Sequence, residues 1–173
     1  MELQWIDRIL VRDLETLKRE IAAFPDDPSV WALPPGIANS AGTLALHVAG
    51  NLRHFVGAVL GGSGYVRHRD QEFSARGLSR AALIDELAAA GAALQATFTS
   101  DRTIDLAADF PEAVGSGFRV ATGDWLIHLA THLAFHLGQV GYLRRIVTGN
   151  PASMGGVSIP QLASAVKLPP PAT

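Results

Sequence analysis

Three of the chain's six histidines, His128, His132 and His136, follow one another at intervals of four residues. On an α-helix that interval puts neighbours on one face, about 6 Å apart along the axis, close enough for two imidazoles to take one ion. The outer two are about 12 Å apart, so one ion cannot easily take all three. Two adjacent pairs are therefore candidate chelates, and a third ligand has to come from elsewhere. His47 and His54 offer themselves, seven residues apart in a second helical stretch and hence nearly on one face. Spacing alone does not choose between them. Nor does it exclude that all of these are interior histidines, hydrogen-bonded to their neighbours and chemically idle. The chain has no cysteine, which removes disulfides, thiolate ligands and a cysteine nucleophile. Chemistry has to come from imidazoles, carboxylates, hydroxyls or a cofactor.

The segments that must position these histidines read as helices. Leu3, Ile6, Ile9, Leu10, Leu14, Leu17 and Ile21 recur at steps of three and four, predicting a helix to about Phe24 that Pro25 and Pro28 stop. A proline-rich loop follows to about Asn39. Ser40 or Asn39 can cap a second helix, running to about Leu60 and ended by Gly61-Gly62-Ser63-Gly64. That glycine run lacks a downstream Lys-Ser/Thr, so it is not a phosphate-binding loop. Ser79 reads as the cap of a third helix from about Arg80 to Phe98, and Asp124, helped by Thr122, as the cap of a fourth that Gly149 closes. Between them, Thr99 to Gly123 is read as a loop with a small hairpin. Residues 1–150 are thus expected to form one bundle and 151–173 a C-terminal tail carrying a short helix over Ile159 to Lys167. Four amphipathic segments without a strand pattern predict an all-α four-helix bundle, with connections longer than an up-and-down bundle needs.

Composition bounds the function. A chain of 173 residues suits one domain, and Lys plus Arg number 14 against 16 Asp plus Glu, a formal charge of −2. That balance leaves no electrostatic footprint for nucleic acid or an anionic membrane. With 48% apolar and 17% charged residues, disorder is excluded as the general state. The first ten residues lack the order of a signal peptide and no apolar run is long enough to span a bilayer, so the expected location is the cytoplasm.

The string Thr131 to Gln139, Thr-His-Leu-Ala-Phe-His-Leu-Gly-Gln, resembles the closing motif of the DinB-like superfamily, in which two histidines four apart precede a Gly-Gln pair. Thr43 to Val48, Thr-Leu-Ala-Leu-His-Val, is similar to that family's second-helix segment with its lone histidine. The two match in order and separation, and the resemblance runs from the first helix to about Arg145. It implies a four-helix bundle holding a divalent ion, commonly zinc or nickel, through His47, His132 and His136. His54 and His128 then stand outside the ligand set. Some members are metal-dependent transferases that use a low-molecular-weight thiol, others isomerases or suspected hydrolases. Leu137, where many relatives have a basic residue, and Phe135, in place of a frequent extra histidine, imply a more apolar site.

The resemblance thus implies a metal-dependent transferase acting on a small molecule, with a low-molecular-weight thiol as one co-substrate open to it; a hydrolase and a non-catalytic, metal-organised ligand-binding protein are the rivals. A homodimer is a further expectation from it. Three neutral imidazoles would leave the ion its charge and an open position, suited to polarising a substrate atom or stabilising a thiolate. Beside this, Arg67, His68, Arg69, Asp70 and Glu72 crowd the loop after the second helix. Their guanidiniums could fork an anionic ligand, or the loop could be solvated with local ion pairs. Asn51 and Arg53 could face a pocket or pair across helices. Tyr142 and Trp125 read as core or dimer-contact residues.

Overall fold

α1 (Leu3–Ala22) forms because its apolar residues fall on one stripe, and Ile6, Leu10, Leu14, Leu17 and Ile21 are all buried. The computed structural model that shows this describes residues 3–156 and 158–169; Pro170 and Pro171, at the end of the expected tail, lie outside the described residues. α2 (Ala41–Leu52) starts where expected, with the Ser40 hydroxyl accepting from the Thr43 amide at 3.1 Å. It runs without a break into a widened, π-helical stretch, Arg53–Leu60. Such stretches are rare and often accompany functional sites. α4 (Arg80–Phe98) is capped by Ser79 as its sequence predicts, and the short α3 (Arg69–Ser74) precedes it.

α5 (Thr122–Thr148) ends at Gly149 in the left-handed region, φ 67°. Its start corrects an expectation: the cap position is Ala121, and Asp124 lies in the first turn. The loop backbone has taken over the cap's task, because the amides of Thr122 and Gly123 donate to the carbonyls of Ala108 and Leu106 at 2.8 and 2.9 Å. Asp124 still favours the positive helix end. The expected hairpin in 99–121 reduces to two isolated antiparallel bridges, Asp109 with Ala121 and Val114 with Phe118. The expected helix over Ile159 to Lys167 is a single 3₁₀ turn, Ile159–Gln161. Ile159, Val166 and Leu168 are all exposed, so no buried face stabilises a longer one.

Contacts between side chains fix the directions. Glu20 and Arg144 pair near the C-terminal ends of α1 and α5, so these run parallel. Arg80 at the start of α4 reaches Asp27 and the Phe24 carbonyl beyond the end of α1, so α4 runs the other way. Arg53 meets Glu86 and Thr97 donates to the Val56 carbonyl, which makes α2 and α4 parallel. His47 meets His132 while Phe55 meets Trp125, so α2 and α5 are antiparallel. α1 packs on α4 and α5, and α2 packs on the same two, while α1 and α2 barely touch.

This arrangement explains the long connections. Segments 23–40 and 99–121 each cross a diagonal of the bundle, and 61–79 must travel back along it because α2 and α4 are parallel. The returning arm lays α3 against α2. The core between the helices is leucine-rich, with Leu10, Leu14, Leu17, Leu83, Leu87, Leu94, Leu126, Leu129 and Leu133 essentially inaccessible. Arg144 is also fully buried, paired with Glu20 and donating to the carbonyls of Asn150 and Ala152, which ties down the segment after α5. No helix of the described residues is long and apolar enough to cross a membrane.

Candidate metal centre

Antiparallel packing of α2 on α5 sets His47 opposite the middle of the histidine ladder. The Nε2 atom of His132 lies 3.2 Å from Nε2 of His47 and 3.1 Å from Nε2 of His136. One ring nitrogen from each of the three falls within 4.8 Å of the others, a cluster that could hold a metal ion. Bonds of about 2.0–2.1 Å to a tetrahedral zinc would put ligand nitrogens about 3.3 Å apart, close to the two spacings seen.

Hydrogen bonds at the far ring nitrogens favour lone pairs facing inward. His47 Nδ1 lies 3.0 Å from Glu72 Oε2, and a carboxylate can only accept, so that nitrogen carries the proton. His136 Nδ1 donates to Gln139 Oε1 at 2.7 Å. In a neutral ring, the Nε2 of each is then the nitrogen that carries the lone pair. A proton on His132 Nε2 could satisfy one of its two close neighbours at a time, whereas a cation among the three would satisfy all. Burial, and then the neighbouring His136, His47, His128 and Arg67, push His132 down to about 3 from its ordinary 6.5. Burial pushes His136 down too, against the raising effect of its Gln139 bond. Both are therefore neutral, as ligands must be.

Glu72 comes from α3, on the returning arm. Arg67 grips it with two parallel bonds, Nε to Oε1 and Nη2 to Oε2, both 2.7 Å. Burial alone would raise Glu72; the hydrogen bonds and charges of Arg67 and His47 together outweigh it and hold the carboxyl below its ordinary range. Gly50, one turn after His47, makes the approach possible, because a Cβ there would sit inside the Glu72 carboxylate. Phe73 closes the same side, its ring 4.9 Å from that of His47. Arg67 and Glu72 thus bind each other and the histidine rather than a solvated loop or an incoming anion. In the sequence they read as an anion-binding fork or as solvated loop charges; nothing in their spacing shows that the loop folds back on α2.

The remaining histidines stay apart. Seven residues of helix rise about 10 Å, which takes His54 past the cluster despite the shared face. There its Nε2 bonds Glu112 Oε1 at 2.8 Å. His128 stacks on Trp125, with ring centroids 4.7 Å apart and planes 14° from parallel. Arg53 pairs across the helices with Glu86 and lies over Tyr65, and Asn51 is buried with Oδ1 lacking a hydrogen-bond partner. Trp125 packs against the core, while Tyr142 is exposed, not a core residue. Beside His136 opens a cavity of about 500 Å³, bounded by Ile37, Asn39, Leu44, Phe135, Gln139 and Tyr142 among others. That volume suits a small molecule.

No curated protein matches the chain. A family model for the DinB superfamily matches residues 9–140, more than half of the chain, so the chain belongs to that superfamily.

Proposed function

We propose, from that membership and from the three converging imidazoles, that His47, His132 and His136 hold one divalent transition-metal ion, zinc or nickel, and that the protein is a metal-dependent transferase acting on a small molecule. A low-molecular-weight thiol is the co-substrate this reading favours. The observation that carries it is the convergence of three ring nitrogens on one point, two of them with their protons committed on the opposite side of the ring. Held by three neutral imidazoles, such an ion supplies Lewis acidity towards a thiol or a substrate oxygen.

The chain's own residues then have distinct tasks. Glu72 and Gln139 orient His47 and His136. Phe73 and Phe135 each pack a ring beside a ligand imidazole and supply apolar surface next to the site. The cavity beside His136 receives the small molecule. The carboxylates bonded to histidines have partners of their own: Glu72 serves Arg67 and His47, and Glu112 serves His54. Hydrolysis is the second reading, because a metal-bound water, like a metal-bound thiol, can lose its proton without a dedicated base; dependence on added thiol separates the two.

The experiment is elemental analysis of untagged protein purified without added metal, followed by substrate screening with and without a thiol. About one equivalent of zinc or nickel, with turnover only when thiol is present, supports the reading. Turnover without thiol makes the protein a hydrolase. Protein that stays folded and takes up neither metal on titration refutes the site itself.

A further inference from the structure

We infer that Arg67 and Glu72 form a positioning device that holds His47 in the Nδ1-protonated tautomer and makes metal affinity depend on docking of the returning arm against α2. The inference rests on the reading of the three histidines as a metal site.

A connection that only had to span the bundle could be anchored by apolar residues alone. This one instead buries a carboxylate, which is costly unless its oxygens find donors and a countercharge. Glu72 Oε1 takes Arg67 Nε, while Oε2 takes both Arg67 Nη2 and His47 Nδ1. The 3.4 Å approach of Arg67 Nη2 to His47 Nδ1 is then a meeting of two donors that share Oε2. The acceptor is thus aimed at the one nitrogen of His47 that does not face His132. Removing the Cβ at position 50 gives the carboxylate room, and Phe73, its neighbour on α3, covers the imidazole face. Arg67, Glu72 and Phe73 all belong to the arm, so undocking it would release the tautomer, the ring orientation and the cover together.

His54 provides an internal contrast. Its carboxylate partner, Glu112, occupies Nε2 rather than Nδ1, and no other histidine converges on it. A carboxylate beside a histidine is therefore not a general habit of this chain's helices; which nitrogen it engages differs between the two sites. By linkage, an ion that binds better when the arm is docked must hold the arm more firmly in place.

The test uses full-length, metal-free protein with ¹⁵N-labelled histidine. Long-range ¹H–¹⁵N NMR reports the tautomer of each ring, and zinc affinity is measured by competition with a chromogenic chelator. Wild type should show His47 protonated at Nδ1. Glu72→Ala should populate the Nε2-protonated form and weaken zinc by about 10- to 100-fold. Glu72→Gln, which keeps a carbonyl for the Nδ1 proton, should retain the tautomer and most of the affinity; a mere ion-pair clasp would suffer alike from both changes. Gly50→Ala is a second route, displacing the carboxylate without removing a polar group, and should repeat the Glu72→Ala pattern if that variant does not fold. An Nε2-protonated His47 in wild type, or a folded Glu72→Ala protein with tautomer and affinity unchanged, overturns the inference. Should wild type take no zinc at all, the metal-site reading fails, and the tautomer comparison by itself decides whether Glu72 positions His47.

Discussion

The two halves of the helix that follows Ser40 each carry one histidine and treat it in opposite ways. In the regular half, His47 is buried, its Nδ1 bonded to Glu72 and its Nε2 turned towards His132. In the π-helical half, His54 is partly exposed and gives its Nε2 to Glu112. α5 repeats the contrast, with His132 and His136 converging on His47 while His128 stacks on Trp125. The same residue type at helical spacing thus becomes a candidate ligand or a packing group according to what the neighbouring elements bring to its ring. In α2 the difference is the arm bearing Arg67 and Glu72, which reaches His47; in α5 it is the position of each histidine relative to His47.

The sharpest way to break the contrast is His132→Ala, which removes the nitrogen shared by both close contacts. Bound metal should fall from about one equivalent to none by elemental analysis, with helicity by circular dichroism retained. His128→Ala should leave the metal in place. Next comes Leu87→Ala, in the leucine core between the helices. Truncating this fully buried side chain should cost about 2–5 kcal/mol in urea unfolding while the folded fraction still takes up metal, separating the scaffold from the site.

A smaller effect concerns acid. His132 stays neutral in the folded, metal-free protein down to about 3, whereas in the unfolded chain it takes a proton near its ordinary 6.5. Its contribution to stability is therefore complete above 6.5 and lost progressively as pH falls towards 3. Metal-free wild type should lose stability between pH 7 and pH 5, and His132→Asn should lose less. The remaining slope is carried in part by His136, which is lowered in the same direction. Glu72, also lowered, adds its own loss only below its ordinary 4.5, outside that interval. Last, His54→Ala breaks a partly exposed pair with Glu112 and should change unfolding stability by under about 1 kcal/mol, with metal content untouched. Loss of metal in that variant would show that the two halves of the helix are not separate.

Much of this was legible beforehand. The leucine periodicity of α1, the Ser40 and Ser79 caps and the Gly149 stop are local devices, and each appears where its residues call for it. Spacing left the histidines open, and the resemblance to the superfamily's two-part motif pointed to His47, His132 and His136, whose ring nitrogens lie within 4.8 Å of one another. Local reading failed where a distant backbone intervened. Asp124 was passed over as a cap because the carbonyls of Leu106 and Ala108 already satisfied the first amides of α5. Arg67 and Glu72 looked like loop charges because sequence carries no sign of a connection that doubles back.

Sequence by itself determined the four long helices, the ends set by Ser40, Ser79 and Gly149, and the ladder of histidines on one face, since these follow from periods and caps within a few residues. Tertiary structure decided that α2 and α4 run parallel, and everything that follows from that. A parallel pair needs a connection that retraces the bundle, and that connection carries Glu72 to His47 across 25 residues of chain. Which nitrogen of an imidazole keeps its proton depends on a partner within about 3 Å, and only the fold brings such partners together.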